Sequence, residues 1–205
     1  MRQIGIMGGT FDPIHNGHIA VGRQAYLEYG LDEVWFMPSG HPPHKTDHTV
    51  TCAEDRCEMT RLAIQGYPYF RFSDFEVRRE GNTYTAQTLG LLKERYPEYR
   101  FFFIIGADSL YEIENWYLPQ QIMERAVLLV AGREYPKAKR PLEEQIAYLK
   151  EKYGGEIFRL HLEEINVASM RLRKMAACGQ ELKPFVPTAV WEYIRSHHLY
   201  EERED

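Results

Sequence analysis

Short apolar, β-rich segments alternate with amphipathic helical segments along nearly the whole of this 205-residue chain. Such alternation predicts the α/β class, with a doubly wound and mostly parallel sheet whose strands are joined by right-handed crossovers. The predicted strands are residues 3–7, 33–38, 70–75, 100–105, 126–132 and 157–160. The helices predicted between them, from apolar residues spaced three and four apart, are 18–29, 52–65, 85–96, 119–125 and 142–152.

Two further helical segments lie near the C-terminal end, at residues 169–177 and 188–197, and the second follows a proline. We expect them to form a small C-terminal helical subdomain, residues 165–205, packed on the sheet edge. The length fits one compact domain, residues 1–205, because a single α/β sheet of this size can bury most of its apolar surface.

The composition argues against several classes of protein. Hydrophobic residues make up 44% and charged residues 27%, which is typical of globular chains. The longest apolar runs, 101–105 and 126–131, fall far short of the roughly 20 residues of a membrane helix, and the N-terminus lacks a signal-peptide pattern. A net charge of −5 argues against a nucleic-acid-coating surface, and three cysteines without a Cys-x-x-Cys pair indicate neither disulfides nor a thiolate zinc site. We therefore expect a cytoplasmic protein that binds neither membrane nor nucleic acid.

The first predicted strand runs into a glycine-rich turn and then a helix, in the order Gly8-Gly9-Thr10-Phe11-Asp12-Pro13-Ile14-His15-Asn16-Gly17-His18. Paired glycines can take φ > 0 and approach a ligand closely, and the helix N-terminus behind them favours anions. His15 and His18 face the same side of a helical turn, so they can hold one polyphosphate jointly. The turn has the spacing of neither a dinucleotide-binding Rossmann turn nor a P-loop. The alternative is a tight turn whose histidines merely cap the helix.

The loop after the second strand, residues 38–45, combines prolines with polar residues and ends at Lys45. In an open parallel sheet this loop lies at the same edge as the first turn, so Lys45 is a candidate cation for a phosphate. Three histidines there could alternatively bind zinc, or the loop could be solvated surface; they are His41, His44 and His48.

Polar and aromatic residues also follow the fourth and fifth strands. Asp108 comes after Gly106, where its carboxylate could accept hydrogen bonds from ribose hydroxyls or cap the next short helix. Trp116 and Tyr117 offer aromatic faces to a planar ring, although Trp116 could instead belong to the core. Arg133, beyond the fifth strand, could help to bind an acidic substrate or could lie only at the border of the binding crevice.

Taken together, these segments resemble a known enzyme family. Residues 8–18 look like the signature of the nucleotidyltransferase superfamily, with His15-x-x-His18 as its defining pair. The remainder of the chain is similar to nicotinate mononucleotide adenylyltransferase rather than to phosphopantetheine adenylyltransferase. The segments that carry this similarity are Met37-Pro38, Pro42-Pro43-His44-Lys45, Tyr84-Thr85, Thr88-Leu89, Ile105-Gly106-Ala107-Asp108-Ser109, Trp116-Tyr117, Val186-Pro187, Tyr193-Ile194 and Leu199-Tyr200. The resemblance implies a Rossmann-like nucleotidyltransferase fold that transfers the adenylyl group of ATP, bound with Mg²⁺, to nicotinate mononucleotide. The products would be deamido-NAD and pyrophosphate, in NAD biosynthesis.

The resemblance also implies a role for each candidate residue. Catalysis would fall to His15, His18 and Lys45, with the imidazoles protonated or donating where negative charge grows. ATP would contact Gly8, Gly9, Thr10, Phe11, His18, Gly106, Asp108, Ser169 and Arg173, and no side chain would be dedicated to a metal. The mononucleotide would contact Lys45, Thr85, Trp116, Tyr117 and Arg133. Trp116 would stack on the pyridine ring, and Thr85 with nearby backbone amides would meet its carboxyl or amide group.

One segment departs from the family pattern. In place of Ile-Ser-Ser/Ala-Thr-x-Ile-Arg the chain has Val167-Ala168-Ser169-Met170-Arg171-Leu172-Arg173, which keeps Ser169 and Arg173 but lacks a hydroxyl and the threonine. The change concerns triphosphate binding more than the class of reaction. Because of this departure, the alternative that the chain is a nucleotide-sensing binding module without turnover stays open. Nicotinamide mononucleotide as the preferred acceptor also stays open, as does a homo-oligomeric state.

Overall fold

The computed structural model describes residues 1–40, 50–132, 138, 140–162 and 167–201. Within them, six strands form one sheet in the order β3-β2-β1-β4-β5-β6, and every neighbouring pair is parallel. This arrangement confirms the predicted doubly wound α/β fold. The strands are β1 Arg2–Gly9, β2 Glu33–Pro38, β3 Phe70–Phe72, β4 Tyr99–Gly106, β5 Val127–Ala131 and β6 Ile157–Arg159.

Helices connect and cover the strands. Their bounds are α1 Asn16–Tyr29, α2 Ala53–Ile64, α3 Thr85–Arg95, α4 Ala107–Glu112, α5 Pro119–Arg125, α6 Leu142–Tyr153, α7 Ser169–Ala177 and α8 Thr188–Ser196, with a 3₁₀ turn at Ile113–Asn115. No helix in the described part of the chain has the length and apolar character needed to cross a bilayer.

Two elements differ from the sequence-based expectation by more than two residues at an end. The third strand was predicted to reach residue 75, but β3 ends at Phe72 because the chain then folds into turns, with Arg78 N–H bonded to the carbonyl of Asp74. The six-residue helix α4 is not among the predicted helices, because its apolar signal is short and continues directly from that of β4.

Alternating side chains of the strands fill two separate hydrophobic cores, as expected for a sheet buried on both faces. On β4, Phe101 and Phe103 point to the layer that contains α3, α5 and α6, whereas Phe102 and Ile104 point to the layer that contains α1 and α2. Both layers therefore fix the position of the same strand ends.

The C-terminal helices share the second of these cores. Leu172 of α7 and Val190 and Ile194 of α8 are buried in the cluster that includes α1 and α2, and α8 packs against α2. Helix α2 in turn covers β2 and β3, so the C-terminal helices lie over the outer part of the sheet. Their treatment as a subdomain with a boundary at residue 165 stays a prediction.

The strand order reverses between β1 and β4, which lie side by side with Met7 paired to Ile104. In open parallel sheets the crevice beyond the carboxyl ends of such strands is where ligands bind. The predicted glycine turn follows β1, and Asp108 follows β4, so both stand at this reversal point.

Candidate active site

The residues between β1 and α1 form the phosphate turn, residues 8–15. Among these residues, Phe11 has a left-handed backbone conformation, with φ 52°, and its side chain is buried. The expectation that the paired glycines take φ > 0 is wrong, since Gly8 and Gly9 both belong to the extended strand. Gly9 is required for packing instead, because a Cβ there would lie 2.9 Å from the Phe11 ring. The ring thus folds back over the strand end and leaves the turn backbone facing the crevice.

Arg56 of α2 forms a hydrogen bond to the backbone of the phosphate turn. Its side chain is 2% exposed, and Nη1 donates to the carbonyl oxygens of Thr10 at 2.8 Å and Ser39 at 3.0 Å. Nε donates to the carbonyl of Thr51 at 3.0 Å. The guanidinium therefore joins the turn to both described ends of the β2–α2 connection. Burial lowers the pKa of Arg56, and the nearby Asp12 charge opposes that effect.

Ser169 and Arg173 of α7 also contact this turn. Ser169 Oγ donates to the carbonyl of Pro13 at 3.0 Å, and Arg173 Nη1 donates to the carbonyl of Asp12 at 2.7 Å. The structure therefore brings both residues to the phosphate turn, where they brace its backbone. A direct contact of either one with ATP stays a prediction, although a guanidinium has further donors to offer.

The two signature histidines lie on one side of α1, as predicted. Their rings stack with centroids 3.7 Å apart, and His18 Nδ1 accepts a hydrogen bond from the backbone N–H of His15 at 3.2 Å. An Nδ1 that accepts carries no proton, so the neutral His18 ring presents Nε2–H as its donor. Burial lowers the pKa of His15 to about 4, so this ring is neutral at pH 7 as well. Of the two states allowed from the sequence, the structure therefore favours neutral donors.

The low pKa of His15 predicts a stability change with pH. Below its ordinary value of 6.5, the unfolded chain gains a proton at this imidazole, whereas the folded chain gains none until about pH 4. Acid therefore favours unfolding, and between about pH 7.5 and about pH 5 wild type should lose about 2 kcal/mol more than His15→Gln. Urea unfolding at both pH values measures this difference. His197→Gln, at an exposed histidine, should behave as wild type; equal losses in wild type and His15→Gln would contradict the prediction.

Two cavities meet at the phosphate turn. One, of about 850 Å³, lies over the ends of β4, β5 and β6 and is lined by His15, Gly106, Gly132 and Leu160 among others. The other, of about 720 Å³, lies between β2 and α3. Each is large enough for a nucleotide-sized ligand. The residues common to both are Gly8, His18, Phe103, Asp108, Ser109 and Trp116.

Asp108 stands at this junction, on the first turn of α4. The N-cap position of α4 is Gly106, so Asp108 is not the N-cap residue, but its carboxylate does accept a first-turn N–H of that helix. Its Oδ1 accepts the N–H of Ser109 at 2.8 Å, and a Cβ on Gly106 would approach that oxygen to 2.4 Å, closer than atoms can pack. The side chain is exposed, which leaves the carboxylate accessible to a ligand in either cavity.

The aromatic residues predicted for the mononucleotide line the second cavity. Trp116 is half-buried, with its ring 6.4 Å from that of Phe103 at a steep angle, so it is not a fully buried core residue. Tyr117 is 45% exposed, and its ring lies 4.7 Å from that of Tyr84. Thr85 is the first residue of α3, so the N–H groups of that helix end open towards the same cavity.

Lys45 and Arg133 lie outside the described residues, as do the three histidines of the alternative zinc site. Their predicted roles stay predictions. Within the ranges that the structure describes, no three His, Cys, Asp or Glu side chains are grouped so that they could hold a metal ion.

Sequence reasoning missed several residues at this site. Glu76 lines the second cavity, and its Oε1 accepts a hydrogen bond from Oγ1 of Thr88 at 2.7 Å. Thr88 was noted only as part of the similar sequence pair Thr88-Leu89. Burial raises the pKa of Glu76. The segment around Glu76 gave no functional signal because it was predicted partly as strand. Arg56 was detectable in principle, as a charged residue within a strongly periodic predicted helix, and Tyr200 was noted only as part of a similar sequence pair.

Doubly wound α/β proteins bind nucleotides across the strand-order reversal, and in this chain the phosphate turn and the paired imidazoles lie there. A model of the cytidylyltransferase-like family matches residues 6–175. Two relatives named "probable nicotinate-nucleotide adenylyltransferase" match almost completely. The one from Lachnoclostridium phytofermentans is 43% identical over 98% of this chain and 100% of its own, and the one from Bacillus pumilus is 36% identical over 98% and 100%.

A solved structure shares the whole fold. The nicotinic acid mononucleotide adenylyltransferase of Plasmodium falciparum, complexed with NaAD, is similar with a TM-score of 0.79, 21% identity and coverage of 98% of both chains. The chain belongs to the nicotinate-nucleotide adenylyltransferase family, within the cytidylyltransferase-like nucleotidyltransferases.

Proposed function

We propose that this protein transfers the adenylyl group of ATP to nicotinate mononucleotide, releasing pyrophosphate and forming deamido-NAD for NAD biosynthesis. The observation that carries the proposal is the pair of nucleotide-sized cavities that meet at His18 and Asp108. A reaction between two nucleotides needs their phosphates at one point and their bases apart, and this arrangement provides both.

The lining of each cavity assigns its ligand. We assign ATP to the cavity at the ends of β4 to β6, where the glycines Gly106 and Gly132 let the adenosine approach the backbone closely. We assign the mononucleotide to the second cavity, where Trp116 offers an aromatic face and the α3 N-terminus favours a carboxylate. Lys45 and Arg133 are the proposed additional cations.

The proposed reaction does not need a general base from the protein. A phosphate oxygen of the mononucleotide attacks the α-phosphorus of ATP, a P–O bond forms, the α–β bridging P–O bond breaks, and pyrophosphate leaves with that electron pair. The nucleophile is already an anion, so catalysis rests on alignment and on donors placed where charge grows. His18 is the proposed donor through Nε2–H, and the neutral His15 ring supports it by stacking. Mg²⁺ is proposed to arrive as part of the ATP complex, with phosphate oxygens and water as its ligands.

The acceptor assignment is tested at Trp116. Trp116→Ala should raise KM for nicotinate mononucleotide about 10- to 100-fold, because stacking on one base contributes about 1–3 kcal/mol. Trp116→Phe keeps an aromatic face and should retain most of the affinity. Steady-state kinetics with each substrate varied separately give both KM values. An increase in KM for ATP that equals the increase for the mononucleotide would show that the assignment of the cavities is wrong.

Two alternatives stay distinguishable in one assay. Purified protein is supplied with ATP, Mg²⁺ and either nicotinate or nicotinamide mononucleotide, and pyrophosphate release is followed. We expect release with both, and a higher kcat/KM with the acid because helix-end N–H groups interact more strongly with a carboxylate than with an amide. A higher kcat/KM with the amide would support the alternative acceptor. No release with either substrate would support a binding module without turnover and refute the enzymatic proposal.

A further inference from the structure

The end of the described chain returns to the phosphate turn. Tyr200, which follows α8, is partly buried, and its hydroxyl donates to Oδ1 of Asp12 at 2.8 Å. The second carboxylate oxygen of Asp12 accepts the backbone N–H of Thr51 at 3.4 Å. Asp12 is buried, so a partner such as the Tyr200 hydroxyl matters for its carboxylate.

The backbone beside Asp12 is one that needs support. Phe11 adopts φ 52°, a left-handed conformation that bulky side chains rarely take and that persists only where the surroundings impose it. Arg56 bonds the carbonyl on one side of Phe11, at Thr10, and Tyr200 bonds the carboxylate on the other side, at Asp12. The Phe11 ring also meets the His18 ring edge to face at 5.1 Å, so a shift of this backbone would move the proposed donor.

Tyr200 is suited to act as a permanent donor. Burial raises the pKa of its phenol, and the negative charge of Asp12 adds to that effect. The hydroxyl is therefore protonated at neutral pH, where it donates to the Asp12 carboxylate.

We propose that Tyr200 is a positioning residue for adenylyl transfer: its hydroxyl holds Asp12, and through Asp12 it fixes the phosphate turn that carries His15 and His18. This inference rests on the proposed function for its kinetic part only. The segment after α8 thereby becomes part of the catalytic arrangement, although Tyr200 lines neither of the two cavities.

The chain offers a matched control in Tyr193 of α8. Its hydroxyl donates to Oδ1 of Asp55 at 2.8 Å, so it also ties the C-terminal helices to the body of the protein through one phenol–carboxylate bond. Asp55 belongs to α2 and not to the phosphate turn. Tyr200→Phe and Tyr193→Phe therefore remove equivalent bonds, and only the first removes a bond to the turn.

The experiment compares the two variants with wild type. Both should show a melting temperature lower by about 2–4 °C, as expected for one lost hydrogen bond in a chain of this size. Tyr200→Phe should lower kcat about 10- to 100-fold, because small misplacements of a catalytic group have effects of this order, while Tyr193→Phe should change kcat less than about twofold. Hydrogen–deuterium exchange of the peptide 8–18 should be faster in Tyr200→Phe and unchanged in Tyr193→Phe.

The exchange measurement needs no turnover, so it judges the inference even if wild type proves inactive, an outcome that would refute only the proposed function. A second variant, Asp12→Ala, which removes the acceptor, tests the route: in that background Tyr200→Phe should change neither kcat nor exchange by more than about twofold, because the two residues act as one unit. Equal effects of Tyr200→Phe and Tyr193→Phe on kcat and on exchange would overturn the proposal. So would a full additional loss from Tyr200→Phe in the Asp12→Ala background.

Discussion

Replacing His18 by alanine should lower kcat about 1,000-fold, which is the effect of removing one donor aimed at developing negative charge in a closed site. His18 lies where the two cavities meet, and its Nδ1 is engaged by the backbone of His15, so its orientation is fixed before substrates bind. An interaction made mainly in the transition state affects kcat rather than KM. KM for both substrates should therefore stay within about threefold of wild type.

Two further variants sharpen this prediction. His18→Gln can place an amide donor near the position of Nε2, so its kcat should fall between those of wild type and His18→Ala. His197→Ala replaces an exposed histidine just after α8 and should leave kcat unchanged. Circular dichroism and melting curves confirm that each variant is folded. Near-normal kcat in His18→Ala would remove the histidine from the mechanism.

Replacing Arg56 by methionine should lower the free energy of unfolding by about 3–5 kcal/mol, the range for removal of one partner from a buried charged network. Methionine fills similar space, but it leaves the carbonyl oxygens of Thr10, Ser39 and Thr51 without their shared donor. Since Thr10 belongs to the phosphate turn, kcat should fall as well. Urea unfolding at neutral pH gives the stability and steady-state kinetics give kcat.

The control for Arg56 stands on the same helix. Arg61 is exposed, pairs with Glu58 at 3.3 Å and lies over the Phe72 ring, so it also makes defined contacts. Arg61→Met should reduce the free energy of unfolding by less than about 1 kcal/mol, because exposed ion pairs contribute little. A loss from Arg56→Met no larger than that from Arg61→Met would show that the buried guanidinium network does not stabilise the turn.

The sheet was predictable because its central strands, such as β4 and β5, are buried on both faces and therefore appear as short apolar runs. The run at 100–105 became β4 with one residue added at each end, and the alternation with helices predicted the parallel order. The predicted bounds were less accurate for a strand that is only partly buried. β3 is only three residues long, and the chain after Phe72 turns away, which no apolar run could indicate.

The site was predictable where one local segment contains its chemistry, as in the turn with His15 and His18. It was less predictable where residues distant in the chain converge. Arg56 and Tyr200 reach the turn from α2 and from the region after α8, and the sequence does not show which distant segment either residue contacts. The sequence also did not show why a glycine is needed at position 9. The reason is that the Phe11 ring folds back over the end of the strand and leaves no space for a Cβ there.

The unusual segment at residues 167–173 now has a partial explanation. The two residues that it shares with the family pattern, Ser169 and Arg173, both bond to carbonyls of the phosphate turn. These bonds need only the residues that the chain has kept. The missing hydroxyl and threonine are therefore not needed for these two bonds, and their effect on triphosphate binding stays a prediction.

The most direct measurement of the central claim follows the phosphorus atoms of ATP. The protein is incubated with nicotinate mononucleotide and Mg²⁺ together with ATP labelled either at the α-phosphate or at the γ-phosphate, and the products are separated. We expect the α-label to appear in deamido-NAD and the γ-label in pyrophosphate, in equal amounts. Deamido-NAD that carries no label when the ATP is labelled at the α-phosphate, or release of the γ-label as inorganic phosphate, would contradict adenylyl transfer.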